Sequence, residues 1–270
     1  MMHNLAANIL KLKKEFQNDY DGKSHIQEAI PKSESEMFPI TDSELALLHK
    51  FAKKNPIYYN SYDKIISGTD CIVYEGDINR YWLGSITQDS SHAPFWPTWI
   101  MSAYVIASYC KEFGFNEIVD VGSGDGRIAY CAKIVGMKSA SIEIDSELVK
   151  LQDMLSDILD FTPYCSDASI FDYSSLNLKF PAFVIGGISQ MGGSELATAV
   201  MEKISSDPKQ NGWVFTGTYS QKYGQDPKNN AGWGTLIIKN NLRVMQTVTL
   251  PTTWTFHETI ETPYVFAISD

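Results

Sequence analysis

The chain has few of the features that would place it in several large protein classes. Its 270 residues include four cysteines, which lie far apart, with no C-x-x-C pair and no histidine at metal-ligand spacing. The sequence therefore supports neither a metal site nor a disulfide framework, and we expect buried, reduced thiols. No apolar run is long enough to span a bilayer, and Lys11, Lys13 and Lys14 follow the apolar N-terminal patch, the wrong order for a signal peptide. We expect a soluble cytoplasmic protein that makes no membrane contact.

Positive charge is also scarce. Lysine and arginine number 22 against 32 aspartates and glutamates, which gives a net charge of -10 and a pI near 5.0. This balance argues against a nucleic-acid backbone as the main partner, although it does not exclude a local basic patch. With 44% hydrophobic residues, the chain is able to bury a substantial core in one domain with an appendage.

The first ninety residues predict an N-terminal extension. Apolar residues at spacings of three and four predict an amphipathic helix over 4–20, and Thr41-Asp42-Ser43-Glu44 matches a capping box that opens a helix to about Lys54. Two strand-like segments, 71–74 and 81–86, predict a hairpin. We expect residues 1–90 to form a mainly helical extension or lid and residues 91–270 to form the main domain.

Strands and helices alternate in the middle of the chain. The pattern predicts strands at 117–121, 139–144, 162–166, 181–186 and 212–217, and helices at 125–135, 146–158 and 193–205. Such alternation is typical of an α/β fold with a doubly wound, Rossmann-like, mostly parallel sheet. Four β-like segments at 234–239, 242–250, 253–260 and 263–269 predict antiparallel C-terminal strands.

The segment from Ile118 to Arg127 joins the first of these strands to a helix through three glycines, Gly122, Gly124 and Gly126. Glycines at such a turn let the backbone approach a ligand closely. The spacing G-x-G-x-G is one residue shorter than the dinucleotide fingerprint G-x-G-x-x-G. It favours S-adenosylmethionine (SAM), which has no pyrophosphate, over a nicotinamide cofactor.

Polar or small residues follow four successive strands, where ligands of open α/β sheets bind. Asp120 ends the first strand, and Glu143 ends the second in position to accept hydrogen bonds from a ribose diol. Asp167, before Ala168, follows the third and would contact an adenine amine, although alone it is more often a turn residue. Gly186 ends the fourth and leaves room for a reacting centre. Their order along the chain predicts SAM binding.

Residues 120–127, with the sequence D-V-G-S-G-D-G-R, resemble motif I of class I SAM-dependent methyltransferases. The form G-S-G-D-G-R-I, followed by an I-E-I strand, is similar to the archaeal and mitochondrial protein-lysine methyltransferase family. The segment 93–98 resembles that family's aromatic and proline motif except at Trp96. The segment 183–191 resembles its fourth strand, with Ser189 in place of a proline. The resemblance covers about residues 91–200.

This resemblance implies roles for individual residues. Gly122, Gly124 and Gly126 would contact SAM through the backbone, Asp120 would contact the methionine part, and Glu143 would bind the ribose. Ile144 and Asp167 would contact the adenine, and Thr98 would lie beside the SAM carboxylate. Phe95 and Trp96 would line the acceptor channel, although both fit equally well as core aromatics beneath the first helix.

We therefore expect a SAM-dependent methyltransferase with a protein lysine as the best single acceptor. A small-molecule O- or N-methyltransferase, with residues 1–90 as a substrate lid, is the main alternative. The third hypothesis is a SAM-binding protein without turnover, or a nicotinamide dehydrogenase. No N/D-P-P-Y and no Pro-Cys follows the fourth strand, which disfavours a nucleobase amine and cytosine C5 as acceptors.

Overall fold

The computed structural model describes residues 2–79, 81, 95–186, 193–205, 211–216, 233–252 and 261–269. The N-terminal part holds α1 (Met2–Asn18), β1 (Ile26–Pro31), α2 (Asp42–Lys54), β2 (Tyr58–Ile66) and β3 (Thr69–Gly76). The remainder holds α3 (Ile100–Glu112), β4 (Glu117–Val121), α4 (Arg127–Ile134), β5 (Lys138–Glu143), α5 (Ser146–Leu159), β6 (Thr162–Cys165), a 3-10 turn (Tyr173–Leu176), β7 (Pro181–Gly186), α6 (Gly193–Ser205), β8 (Gly212–Thr216), α7 (Gly234–Lys239), β9 (Leu242–Pro251) and β10 (Glu261–Ser269).

The main sheet has the strand order β6-β5-β4-β7-β8-β10-β9. Strands β4 to β8 pair in parallel, whereas β10 lies antiparallel between β8 and β9. The order reverses at β4, because β5 lies on one side of it and β7 on the other. In open α/β sheets a ligand crevice forms at such a switch point. The predicted α/β, Rossmann-like sheet with antiparallel C-terminal strands is confirmed.

Two predictions in the tail have different outcomes. The predicted strand at 234–239 is wrong, because these residues form α7 with Leu236 and Ile237 buried against the sheet. A short apolar run does not distinguish a buried strand from a buried helical turn. The predicted strand at 253–260 lies outside the residues that the structure describes.

The N-terminal part holds a three-stranded sheet beside its two helices, and the sequence did not predict this sheet. The two predicted helices are present, and both hydrogen bonds of the capping box form at Thr41. Between and after them, β1, β3 and β2 form a three-stranded antiparallel sheet. Its hairpin turns at Ser67 and Gly68, whose φ values of 49° and 80° suit a two-residue loop.

The predicted hairpin between 71–74 and 81–86 is wrong in its pairing. Residues 71–74 pair with β2 on one side and with β1 on the other. Residues 82–86 lie outside the described part of the chain. The polar, tyrosine-rich composition of β2 hid it, since β2 is an edge strand whose residues are largely exposed.

The N-terminal elements share a core with the main sheet. The apolar face of α1 is buried against β9 and α3, and one continuous cluster of buried residues extends from Leu5 to Ile268. Helix α2 packs on α4 through the rings of Phe51 and Tyr130, whose centroids are 5.0 Å apart. The predicted boundary near residue 90 falls outside the described residues. Within the described chain, no helix is long and apolar enough to cross a membrane.

The cysteine prediction holds at three positions and fails at one. Cys71, Cys110 and Cys131 are buried, but Cys165 is exposed because it lies on β6, an edge strand of the main sheet. The four cysteines are free thiols.

Lys13 is a cation within the buried face of α1. Its side chain is 0% exposed, and its Nζ has no hydrogen-bond partner among the described residues. The Nζ lies 5.6 Å and 5.5 Å from the ring centroids of Phe16 and Trp99. Burial lowers the pKa of Lys13 to about 8, and the nearby Glu28 carboxylate opposes this shift. The cation therefore costs folding free energy at neutral pH.

We predict that Lys13→Met raises the free energy of unfolding at pH 7 by about 1–3 kcal/mol, since it removes an unpaired buried charge. In the parent protein, the folded pKa lies below the unfolded one, so the unfolded state binds more protons between about pH 8 and pH 10.4. The contribution of Lys13 to the parent's free energy of unfolding should therefore increase as the pH rises through that window. The Lys13→Met variant should not show this increase.

Urea denaturation at pH 7 and pH 10 measures both effects. Lys11→Met is the matched control, because Lys11 lies on the exposed side of the same helix. A Lys13→Met protein that is less stable than the parent at pH 7 would contradict this account of the buried cation.

Candidate functional site

The glycine loop between β4 and α4 has an unusual backbone. Gly122, Gly124 and Gly126 have φ values of 70°, 57° and 75°, a region that side chains disfavour. The N–H groups of Gly122 and Ser123 both donate to the carbonyl of Ile142, at 2.9 and 3.1 Å, and so tie the loop to β5. A side chain at position 124 would also clash with the ring of Phe95. Position 124 therefore requires glycine for two independent reasons.

The strand register brings all four predicted strand ends to one edge of the sheet. Val121 lies beside Ile142 of β5 and Ile185 of β7, so Glu143 and Gly186 are level with the first loop glycine. Glu143 in turn lies beside Cys165 of β6, which places Asp167 two residues beyond the same edge. The predicted convergence of these residues is therefore present.

Glu143 contacts the glycine loop directly. Its Oε2 accepts a hydrogen bond from the N–H of Gly124 at 2.7 Å, and its Oε1 accepts from the N–H groups of Ile144 and Asp145 at 2.8 and 3.0 Å. Burial raises the pKa of Glu143, and these three donors oppose the shift. Each carboxylate oxygen has two acceptor positions, so Oε2 still has one available for a hydroxyl group.

Asp120 is buried at the end of β4 with an unsatisfied oxygen. It is 3% exposed, and its Oδ2 has no hydrogen-bond partner within the described ranges. Burial raises the pKa of Asp120 well above its ordinary value, and the neighbouring Asp125 and Glu143 raise it further. Because burial opposes the ionisation of Asp120, a cationic hydrogen-bond donor beside this oxygen would stabilise the charged form.

Within the described part of the chain, acidic groups outnumber basic groups around the loop. The buried carboxyl groups of Glu28, Asp120, Asp125 and Glu143 lie near two buried basic groups, the guanidinium of Arg127 and the amine of Lys13, which is close to Glu28. Arg127 forms ion pairs with Glu28 at 2.8 Å and with Asp125 at 2.5 Å. Such a site opposes the pyrophosphate of a dinucleotide and suits a ligand with positive charge.

Gln152 is a site residue that the sequence did not reveal. It is fully buried on α5, and its Nε2 donates to Ser123 Oγ at 2.9 Å and to the carbonyl of Gly124 at 2.6 Å. Its Oε1 accepts from Ser141 Oγ at 2.6 Å. Gln152 thus connects α5, β5 and the loop. The one available signal was an amide on the otherwise apolar face of α5.

The predicted adenine-side residues lie after β5 and β6. Asp167 caps a turn, because its Oδ1 accepts from the N–H of Ser169 at 2.8 Å. Ala168 is buried and its carbonyl accepts from the hydroxyl of Tyr173 at 2.9 Å, while Ile144 is half-buried. The turn function of Asp167 is therefore present, and its carboxylate still lies at the edge where the other strands end.

The segment 95–98 lies across the glycine loop. Phe95 is 6% exposed and packs on Gly124, and its ring meets Tyr81 edge to face with centroids 6.3 Å apart. Trp96 is 41% exposed. The carbonyl of Thr98 accepts a hydrogen bond from Arg127 Nη1. The core interpretation therefore suits Phe95 but not Trp96. The rest of the aromatic motif, 93–94, and the fourth-strand continuation, 187–191, lie outside the described residues.

No protein-family model and no curated protein sequence matches the chain. Solved structures with a similar fold include a Pyrococcus abyssi tRNA (uracil-54, C5)-methyltransferase in complex with S-adenosyl-L-homocysteine. Its sequence identity to this chain is 13%, and the TM-score is 0.45 over 62% of this chain and 37% of that chain. A putative RNA methyltransferase from Pyrococcus horikoshii has 11% identity and a TM-score of 0.48 over 70% of this chain and 96% of that chain.

Magnesium protoporphyrin IX methyltransferase from Synechocystis PCC 6803, with bound S-adenosyl-L-homocysteine, has 10% identity and a TM-score of 0.45 over 63% of this chain and 83% of that chain. The chain spans little more than a third of the length of the Pyrococcus abyssi protein. Likenesses this weak assign neither a cofactor nor an acceptor, so both assignments depend on the geometry of the site.

Proposed function

We propose that the chain is a SAM-dependent methyltransferase. The observation that carries this proposal is the unsatisfied oxygen of Asp120, buried beside a glycine loop where acidic groups outnumber basic groups among the described residues. SAM carries a sulfonium and an ammonium group, so it is the cationic ligand that this environment favours. A nicotinamide cofactor would instead bring a pyrophosphate towards the same carboxylates.

The residues present fit this cofactor. Backbone groups of the three loop glycines can approach it closely, and Asp120 is available to its ammonium group. Glu143 retains an acceptor position for the ribose hydroxyls, which leaves the adenine to the segments after β5 and β6: Ile144, Asp167 and Ala168. Thr98 belongs to the segment across the loop, and Gly186 adds no side chain at the edge where an acceptor enters.

When bound, SAM supplies a methyl group on a positively charged sulfur, which a nucleophile attacks with loss of a neutral thioether. The protein does not need a strong acid for this reaction. Phe95 shields the loop from water, and the hydrogen bonds of Glu143 and Gln152 hold the loop in place. Positioning and exclusion of water are therefore the contributions that these residues make to catalysis.

For the acceptor we propose a protein lysine side chain. The resemblance to the protein-lysine family supports this choice, and so does the exposed ring of Trp96 next to the loop, since an aromatic face attracts a methylated ammonium. The net charge of -10 also favours encounter with basic protein segments. The amine must lose a proton before it attacks, because an ammonium nitrogen has no lone pair.

The cofactor proposal predicts two binding defects. Glu143→Ala should weaken S-adenosylhomocysteine binding by about 1–3 kcal/mol, because it removes an acceptor for buried hydroxyls. Gly124→Val should abolish binding, because the side chain collides with Phe95 and requires a forbidden φ. Isothermal titration calorimetry measures both, and NAD⁺ should not bind the parent protein.

Matched controls separate these effects from general damage. Glu147→Ala removes a carboxylate from the exposed first turn of α5, and Gly68→Val places the same strained residue, at φ 80°, in the distant hairpin. Both controls should bind S-adenosylhomocysteine as the parent does. If Glu143→Ala and Gly124→Val also bind normally, the assignment of the loop is wrong.

The acceptor proposal predicts where a labelled methyl group is found. Incubation of the protein with labelled SAM and a fractionated lysate should place the label on lysine, as amino-acid analysis of hydrolysed protein detects. Trp96→Ala should lower kcat/KM about tenfold through loss of a cation–π contact, while cofactor affinity stays unchanged. Tyr59→Ala, which removes an exposed ring on β2 of the N-terminal sheet, is the control. Label found in RNA or in small molecules would overturn the lysine assignment.

A further inference from the structure

Elements of the N-terminal part meet the cofactor loop at a group of buried polar residues. We call this group the Arg127 cluster and define it by the following members: Glu28 on β1, Asn55 at the end of α2, Tyr58 on β2, Asp125 in the glycine loop, and Arg127 at the start of α4. Three of its five members come from the first sixty residues of the chain.

Asp125 occupies the variable position between the last two loop glycines. It is 0% exposed, and both of its oxygens are bonded. Oδ1 accepts from Arg127 Nε at 2.8 Å, whereas Oδ2 accepts from Arg127 Nη2 at 2.5 Å and from Asn55 Nδ2 at 2.9 Å. The side chain of Asn55 is thus a direct hydrogen-bond partner of the loop, and it comes from α2.

Arg127 extends the network into the N-terminal sheet. Its Nη1 donates to Glu28 Oε1 at 2.8 Å, and its Nη2 donates to the hydroxyl of Tyr58 at 3.3 Å. That hydroxyl donates in turn to Glu28 Oε1 at 2.8 Å. Glu28 Oε2 accepts from the N–H of Ile100 at 2.9 Å, where α3 begins. Every charged member is therefore buried and bonded to another part of the chain.

We propose that Asn55 and Glu28 are positioning residues for the cofactor loop, acting through Asp125 and Arg127. This inference rests on the proposed function. It assigns the N-terminal part a role in holding the cofactor site.

The physical reason lies in the loop itself. Three glycines with positive φ give the loop little stiffness of its own, so contacts from outside must fix it. Gln152 and Glu143 hold the side that faces β5, and the Arg127 cluster holds the side that faces α2 and β1. In a buried network, loss of one partner leaves the remaining charges unsatisfied, so the whole arrangement shifts.

The first test replaces Asn55. Asn55→Ala should weaken S-adenosylhomocysteine binding about tenfold and speed amide hydrogen exchange at residues 122–126, because the loop loses its tie to α2. Asn60→Ala is the matched control, since Asn60 bonds to Glu75 on the exposed side of the N-terminal sheet. The control should leave binding and loop exchange unchanged.

A second pair of variants, which nearly conserves side-chain volume, tests the same role with less risk of misfolding. Tyr58→Phe removes only the hydroxyl shared by Glu28 and Arg127, and it should weaken binding about threefold with faster exchange at the loop. Tyr59→Phe, on the neighbouring exposed ring, is its control. In an Asp125→Ala background, Asn55→Ala should add no further loss of affinity if it acts through Asp125.

The outcomes are distinguishable. A lower melting temperature in Asn55→Ala and Tyr58→Phe, with unchanged affinity and unchanged loop exchange, would show a role in stability alone and overturn the inference. If the parent protein itself fails to bind S-adenosylhomocysteine, the proposed function fails instead. Loop exchange needs no ligand, so it then decides by itself whether the Arg127 cluster positions the loop.

Discussion

The buried ion pair of Arg127 and Asp125 is the point at which the N-terminal part of the chain meets the glycine loop. Both residues belong to the turn that follows the central strand, and both are buried, so neither charge is tolerable without the other. Two residues of the N-terminal part bond to this pair: Glu28 of β1 accepts a hydrogen bond from Arg127, and Asn55 at the end of α2 donates one to Asp125. The order of the glycine loop and the packing of the N-terminal sheet therefore depend on the same set of bonds.

Charge also connects this arrangement to the proposed chemistry. Within the described structure, the buried carboxyl groups near the loop outnumber the buried basic groups, and Asp120 keeps an unsatisfied oxygen. In this desolvated site, a bound phosphate would be repelled by the ionised carboxylates, whereas a bound cation would stabilise them. The charge of the site therefore supports the proposal that it binds SAM in preference to a dinucleotide.

The parts that the sequence predicted are those with local signals. Asp120 and Glu143 end apolar strands, and the glycine spacing is contiguous, so the order of the strands was enough to place them together. Asn55 and Gln152 have no such signal, because they reach the loop from 70 and 28 residues away in sequence. The three-stranded N-terminal sheet was missed for a related reason, since exposed β2 lacks the apolar alternation that identifies a strand.

The most direct test of the central claim is a crystal structure with S-adenosylhomocysteine bound. We predict that its ammonium group contacts Asp120, that its ribose hydroxyls contact Glu143, and that its adenine lies against the segments after β5 and β6. A ligand bound away from the ends of β4, β5 and β6, or a loop still covered by Phe95 with no ligand at saturating concentration, would contradict the account.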